Sequence, residues 1–243
     1  MKRAAVFVEG ETEAAFVLKL LEALAGERAI SLIGETQFGG IFTQDYLSIK
    51  SGSEYEFLVA NCRNDAKVPS AIRDRHQQLT DAGYELILGL RDLYPLLISE
   101  LSKLKAGISS VLPKNGAPAH VVIAVSEVEA WFIEEITHFS KTHVELTEKA
   151  IATKTGYALG SRTAEAIPHP AGLLNEAYSI VGMAWRKKRS QVDRIVGLLD
   201  YRFLIENSAQ FSVSLREFID HIQTFFEPVG SPVACATDSE KAL

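Results

Sequence analysis

Cysteine is scarce. The chain has two, Cys62 and Cys235, far apart and in no metal-ligand or redox spacing. That excludes a disulfide framework and a thiolate zinc site, and it points to a reducing, cytoplasmic compartment. Long hydrophobic runs are missing too. No apolar stretch approaches the ~18 residues of a membrane span. The basic start of MKRAAVFVEGE leads into an apolar run too short for a signal peptide. No membrane association is expected. There is no glycine-rich phosphate loop, so no intrinsic ATPase activity is expected, and no serine or cysteine sits in a nucleophile elbow. Positive charge is not in excess either. Lys plus Arg number 25 against 31 Asp plus Glu, for a formal net charge of −6. This argues against a generally basic nucleic-acid coat, though one basic patch on an acidic body is compatible with it. The six histidines, at 76, 120, 138, 143, 169 and 221, contain no short metal-ligand pair beyond the loosely spaced His138–His143, and read as surface or capped side chains.

What is present is alternation. The runs AAVFV, YELILGL and HVVIAVS are continuous and apolar, the pattern of strands buried on both faces of a parallel sheet. AISLIG and YEFLVAN read as further strands. Residues 34–54, rich in glycine and serine, read as loop or hairpin. Helices are expected over 13–24, 65–82, 96–111 and 127–136. Strand–helix alternation implies an α/β fold with a mostly parallel, Rossmann-like sheet, right-handed crossovers and helices on both faces. Strand patterns vanish after about residue 140, and helices are expected near 143–153, 171–183, 187–199 and 212–226. The resulting organisation is an α/β domain over 1–140, a helical extension packed on it over 141–227, and a disordered tail over 228–243. No internal repeat is visible.

In parallel α/β sheets, ligands sit outside the carboxyl ends of the strands. Three strong strands deliver acids there: Glu9 after AAVFV, Asp92 at the end of YELILGLRD, and Glu127 and Glu129 after HVVIAVS. Clustered carboxylates repel, and magnesium or manganese is the usual remedy; magnesium is held by one or two carboxylates plus water and phosphate. A carboxylate left without metal can act as general acid or base. An ordinary explanation competes. Acids in a first helical turn stabilise the helix by ~0.3–1 kcal/mol through its dipole. Glu11, Glu13 and Glu127 fit that account, and for Glu9 the two explanations stand level. Glu127 and Glu129, two apart on a helix, are expected to face different sides, with Glu127 the one that reaches the site.

The string VFVEGETEAAFV resembles the first motif of Toprim domains, in the form typical of the OLD-family nuclease branch and of a related group of small Toprim-like proteins. The resemblance implies that Glu9 is the general acid/base. LILGLRDLYP resembles the later strand whose Asp-x-Asp pair binds magnesium, which places Asp92 at the first aspartate. VVIAVSEVEAWFIEE is similar to an E-x-E-A-W element of the small group. The resemblance covers about residues 1–140, and more weakly the helical part through IPHPAGLLNEAY and FSVSLREFIDHI. The chain departs from the pattern at Tyr94, where the second aspartate is expected. A phenol does not replace a carboxylate on a hard metal ion, so either Glu127 or Glu129 completes the set, or the metal binds weakly, or the domain no longer catalyses. Gly10, Glu13 and Tyr94 are the expected neighbours of the site. The densest basic run, Arg186, Lys187, Lys188 and Arg189, is the candidate phosphate-backbone contact; such a run also suits a plain solvated face. The implied activity is a magnesium- or manganese-dependent nuclease with nucleic acid as partner. The alternative is a non-catalytic module that binds nucleic acid or a partner ATPase, and a weaker one is phosphatase-like chemistry.

Overall fold

Every residue from Ala4 to Val8 is fully buried, which only a central strand covered on both faces permits. In the computed structural model, which describes residues 1–161 and 163–227, this strand lies in the middle of a six-stranded sheet. The strands are β1 (Lys2–Val8), β2 (Ile30–Phe38), β3 (Ile41–Ser48), β4 (Tyr55–Asn61), β5 (Tyr84–Asp92) and β6 (Ala119–Ala124), in the order β3-β2-β4-β1-β5-β6. All neighbours run parallel except β2 and β3. The three strongest apolar runs, β1, β5 and β6, are adjacent and parallel as their composition predicts. Residues 34–54 resolve into the β2–β3 hairpin. Its turn is Gly39–Gly40, both with positive φ (56° and 87°), where side chains are disfavoured.

Ten α-helices surround the sheet among the described residues: α1 (Glu11–Ala25), α2 (Val68–Asp81), α3 (Leu101–Val111), α4 (Glu129–Glu134), α5 (Thr137–Thr142), α6 (Glu148–Thr155), α7 (Pro170–Ser179), α8 (Arg189–Leu198), α9 (Tyr201–Glu206) and α10 (Val213–Phe226). Strand alternation sorts the core. Val6 and Val8 face α1 and the C-terminal helices; Ala5 and Phe7 face α2. On the α2 face, Gly89 of β5 lets the helix approach closely. A Cβ there would lie 2.8–2.9 Å from Val121, Ile72 and Val68. On the other face, Phe16 of α1 packs between Trp131 and Phe132 of α4 at 5.7 and 5.3 Å, and α10 adds Phe218, Ile222 and Phe226. Residues 141–227 thus share one core with the sheet.

Several boundaries differ from expectation. The helix expected over 127–136 is broken: α4 starts only at Glu129 and ends before Glu135, whose carboxylate takes the N–H groups of Thr137 and His138 and so starts α5. The helices expected from 65 and 96 begin at 68 and 101, each behind a short 3-10 turn. The stretch expected over 143–153 starts at Glu148, where Thr147 caps it. The tail from 228, with Cys235, lies outside the described residues. Among the described residues no helix is long and apolar enough to cross a membrane.

Candidate metal centre

Since β1, β5 and β6 are parallel neighbours, their carboxyl ends open on one edge. Strand spacing of ~4.8 Å puts three consecutive ends within about 10 Å. The acids meet there in two trios. One carboxylate oxygen each from Glu9, Glu13 and Asp92 lie within 4.8 Å of one another, and the same holds for Asp92, Glu127 and Glu129. Asp92, the last residue of β5, belongs to both. The expectation that only one of Glu127 and Glu129 reaches the site is wrong. Glu127 lies before α4, in a turn closed by the Ala130 N–H on its carbonyl at 3.0 Å, and both long side chains bring a carboxylate oxygen to Asp92.

Each acid is held individually. Glu9 Oε2 accepts the Asp92 backbone N–H at 3.0 Å, tying the end of β1 to that of β5. Asp92 Oδ1 accepts the Val128 N–H at 2.9 Å, which fixes the β6–α4 turn. Glu127 Oε2 accepts the Ala171 N–H at 3.0 Å, at the start of α7, and pairs with His169 Nδ1 at 2.9 Å. Glu129 is wholly buried. Its Oε1 accepts from Trp185 Nε1 at 3.1 Å and meets Lys187 Nζ at 2.9 Å, while Oε2 has no hydrogen-bond partner. Glu13, in the first turn of α1, is 3% exposed; a Cβ on Gly10 would sit 2.8 Å from its Oε2, so the glycine leaves room for the carboxylate.

Five carboxyl groups confront one ammonium and one imidazole, and the charges show the strain. Burial pushes Glu13 up to about 8, with Glu9 and Glu129 adding to it. Asp92 is held well above the ordinary carboxylate range by burial, then by Glu9, Glu13 and Glu129. Burial raises Glu129 as well, although Lys187 opposes it. Burial works against the charge on Lys187, yet Glu129, Glu13 and Asp92 outweigh it and hold the ammonium above its usual value. An all-oxygen donor set with a wholly buried, unpartnered oxygen on Glu129 suits a hard divalent cation. Within the same set Glu13, raised to about 8, is a carboxyl group ready to exchange a proton near neutrality.

The structure separates the basic run. Lys187 turns inward, with a left-handed φ of 51°, and also approaches Glu127 at 3.8 Å. All four residues of the run are exposed, Lys187 with 39% of its side chain accessible; what sets Lys187 apart is that its ammonium reaches the acids. Tyr94 stands 47% exposed beyond Asp92 and stacks on His169 at 5.2 Å. His169 is exposed, as expected, yet its ring meets Glu127; the histidines that depart from the surface expectation are His76 and His138, buried on the Ala117 carbonyl and the Tyr178 hydroxyl. Sequence reasoning missed the contact of His169 with Glu127, along with Trp185 and the inward role of Lys187. Only tertiary folding brings residues 169–187 to 127–129. The one local signal was a tryptophan at the head of a charged run, an indole N–H that needs a buried acceptor. Searches of protein families, of characterised proteins and of solved structures return no match to this chain.

Proposed function

We propose that this chain is a Toprim-like enzyme that uses magnesium or manganese to cleave nucleic-acid phosphodiesters. The observation that carries the reading is the pair of carboxylate trios joined at Asp92, on the carboxyl edge of three adjacent parallel strands. The resemblance of VFVEGETEAAFV and LILGLRDLYP supports it, because Glu9 and Asp92 are the residues those motifs single out. Asp92 would hold the ion, with Glu13 on one side or Glu127 and Glu129 on the other. A divalent ion in such a site supplies charge for a phosphoryl oxygen and a water that ionises more easily. Glu9 would move the proton. Its Oε2 rests on a backbone N–H at the end of β5, beside the shared ligand. Lys187 offers an ammonium inside the site, and Arg186, Lys188 and Arg189 stand outside to meet the flanking phosphates.

Calorimetric titration with magnesium and manganese, paired with cleavage of single- and double-stranded substrates, tests this. Asp92→Asn removes a charge from both trios and should weaken metal binding. Glu9→Gln keeps an acceptor for the Asp92 N–H, so it should spare most metal affinity yet lower the cleavage rate by roughly 10²–10⁴. A wild type that binds neither ion would end the enzyme reading.

A second reading, a non-catalytic module that binds nucleic acid or a partner ATPase, is favoured by Lys187. Its ammonium already neutralises Glu129, as a lysine in place of an ion would. That reading expects no divalent binding, no cleavage, and binding of nucleic acid or of the partner by the wild type.

A further inference from the structure

A cleft of about 330 Å³ opens beside the carboxylates, between α1, α8 and the β2–β3 hairpin. Its floor is β4, where Val59 and Asn61 contribute. Asn61 pairs in register with Val8, the residue before Glu9, so the cleft begins one strand away from the site. Both helices connect the two. Glu11 lines the cleft and Glu13 the site, within the first turn of α1; Arg189 lines the cleft, two residues after Lys187. The volume falls at the low end of small-ligand pockets, roughly 300–1,000 Å³.

The lining selects a chemistry. Ala14, Ala15 and Leu18 on one wall and Val192 and Val196 on the other are aliphatic, and Tyr46 adds a partly exposed ring. Gly34 leaves room for Tyr46 across the hairpin: a Cβ there would be 2.7 Å from Tyr46 Cβ. The polar groups are mostly acceptors. Asp45 already takes the Thr36 hydroxyl, at 2.5 Å, and Asp193 and Glu11 stand at the rim. Of the two cations, Lys19 is bound to Glu22 at 2.9 Å. The second cation, Arg189, is exposed at the mouth; against these two cations the lining carries five carboxylates, Glu11, Glu22, Glu35, Asp45 and Asp193, and this acidic balance favours a flat ring with N–H donors on its edge. A further sign that the space is kept open is Gly197. Glycine inside a helix costs about 1 kcal/mol relative to alanine, yet a Cβ at Gly197 would meet nothing within 4 Å.

We propose that this cleft takes the base of the nucleotide whose phosphate lies at the carboxylate site, with preference for bases that carry an amino group: guanine, adenine and cytosine over uracil. The proposal rests on the nucleic-acid reading above, but its test needs neither metal nor cleavage. Free guanosine, adenosine, cytidine and uridine, which have no phosphate, are titrated in chelator and followed by saturation-transfer NMR. The amino-bearing nucleosides should bind the wild type and uridine should bind more weakly. Gly197→Leu projects a side chain into the cleft from α8, and Ala15→Leu does so from α1. Each should lower nucleoside affinity at least ~10-fold, which is about 1.4 kcal/mol, while the magnesium titration stays as in the wild type and the thermal midpoint does not fall; Gly197→Leu should raise it, since the helix loses a glycine. Absence of nucleoside binding, equal binding of uridine, or unchanged binding in both leucine variants would overturn the proposal. Nucleoside binding without any magnesium binding would uphold the cleft and retire the enzyme reading; magnesium binding without nucleoside binding would do the reverse.

Discussion

Gly10 needs no unusual backbone: its φ of −154° is extended and open to any residue. What it supplies is space for the Glu13 carboxylate. Gly10→Ala should therefore leave the thermal midpoint nearly unchanged, because the group that yields is the far end of a flexible side chain. It should still weaken divalent binding several-fold by displacing Glu13. Melting curves and a magnesium titration on the same variant decide this; a lower midpoint with intact metal affinity would mean that the glycine serves the backbone instead. Glu13 also shows what is legible at this scale. From spacing, a glutamate in a first helical turn is fully explained by the helix dipole. Glu9 and Asp92 could be placed in advance because they end apolar strands, and strand ends share an edge. The second trio could be only half placed: that Glu127 and Glu129 both bring an oxygen within reach of Asp92 is a result of the tertiary fold that no local pattern announces.

At the scale of elements, strands buried on both faces were readable, since continuous apolar runs have few other uses. β3 was not, because its residues are largely exposed and show no clear alternation. That Lys187 alone of the run 186–189 reaches the acids was likewise unreadable, and it has a measurable consequence. Lys187→Ala leaves the wholly buried Glu129 with only the Trp185 indole as a hydrogen-bond donor, so the variant should melt lower in chelator. Magnesium should restore part of the loss, as one cation takes over from another. Arg186→Ala, Lys188→Ala and Arg189→Ala combined should leave the melt as it was, but flatten the salt dependence of nucleic-acid binding, since each lost phosphate contact removes about one released counterion. A triple variant whose binding has the same salt slope as the wild type would return these three residues to a plain solvated face.

For the whole molecule, the crowded acids link stability to pH. Glu13 lies near 8 in the folded protein, raised by burial and then by Glu9 and Glu129, whereas in the unfolded chain it titrates near 4.5. Asp92 and Glu129 shift the same way. Between those values the folded state keeps protons that the unfolded state has released, so the unfolded state binds fewer. Stability must then fall as pH rises through this window, at about 1.4 kcal/mol per pH unit for each proton held. The contribution is complete below about 4.5 and spent above about 8. Most globular proteins gain or hold stability from pH 5 to 7; in chelator this one should lose it. A divalent ion reverses the slope, because it binds the deprotonated folded site and adds RT ln(1 + [ion]/Kd), a gain that grows as protons leave. Thermal midpoints at pH 5, 6.5 and 8, each in chelator and in magnesium, should converge at the acid end and diverge at the alkaline end. Glu13→Gln in chelator should flatten the curve and sit above the wild type at pH 8, since an amide at that position has no charge to bury. A wild-type midpoint that climbs from pH 5 to 8 in chelator would mean that Lys187 already balances the acids, and that the cluster needs no further cation.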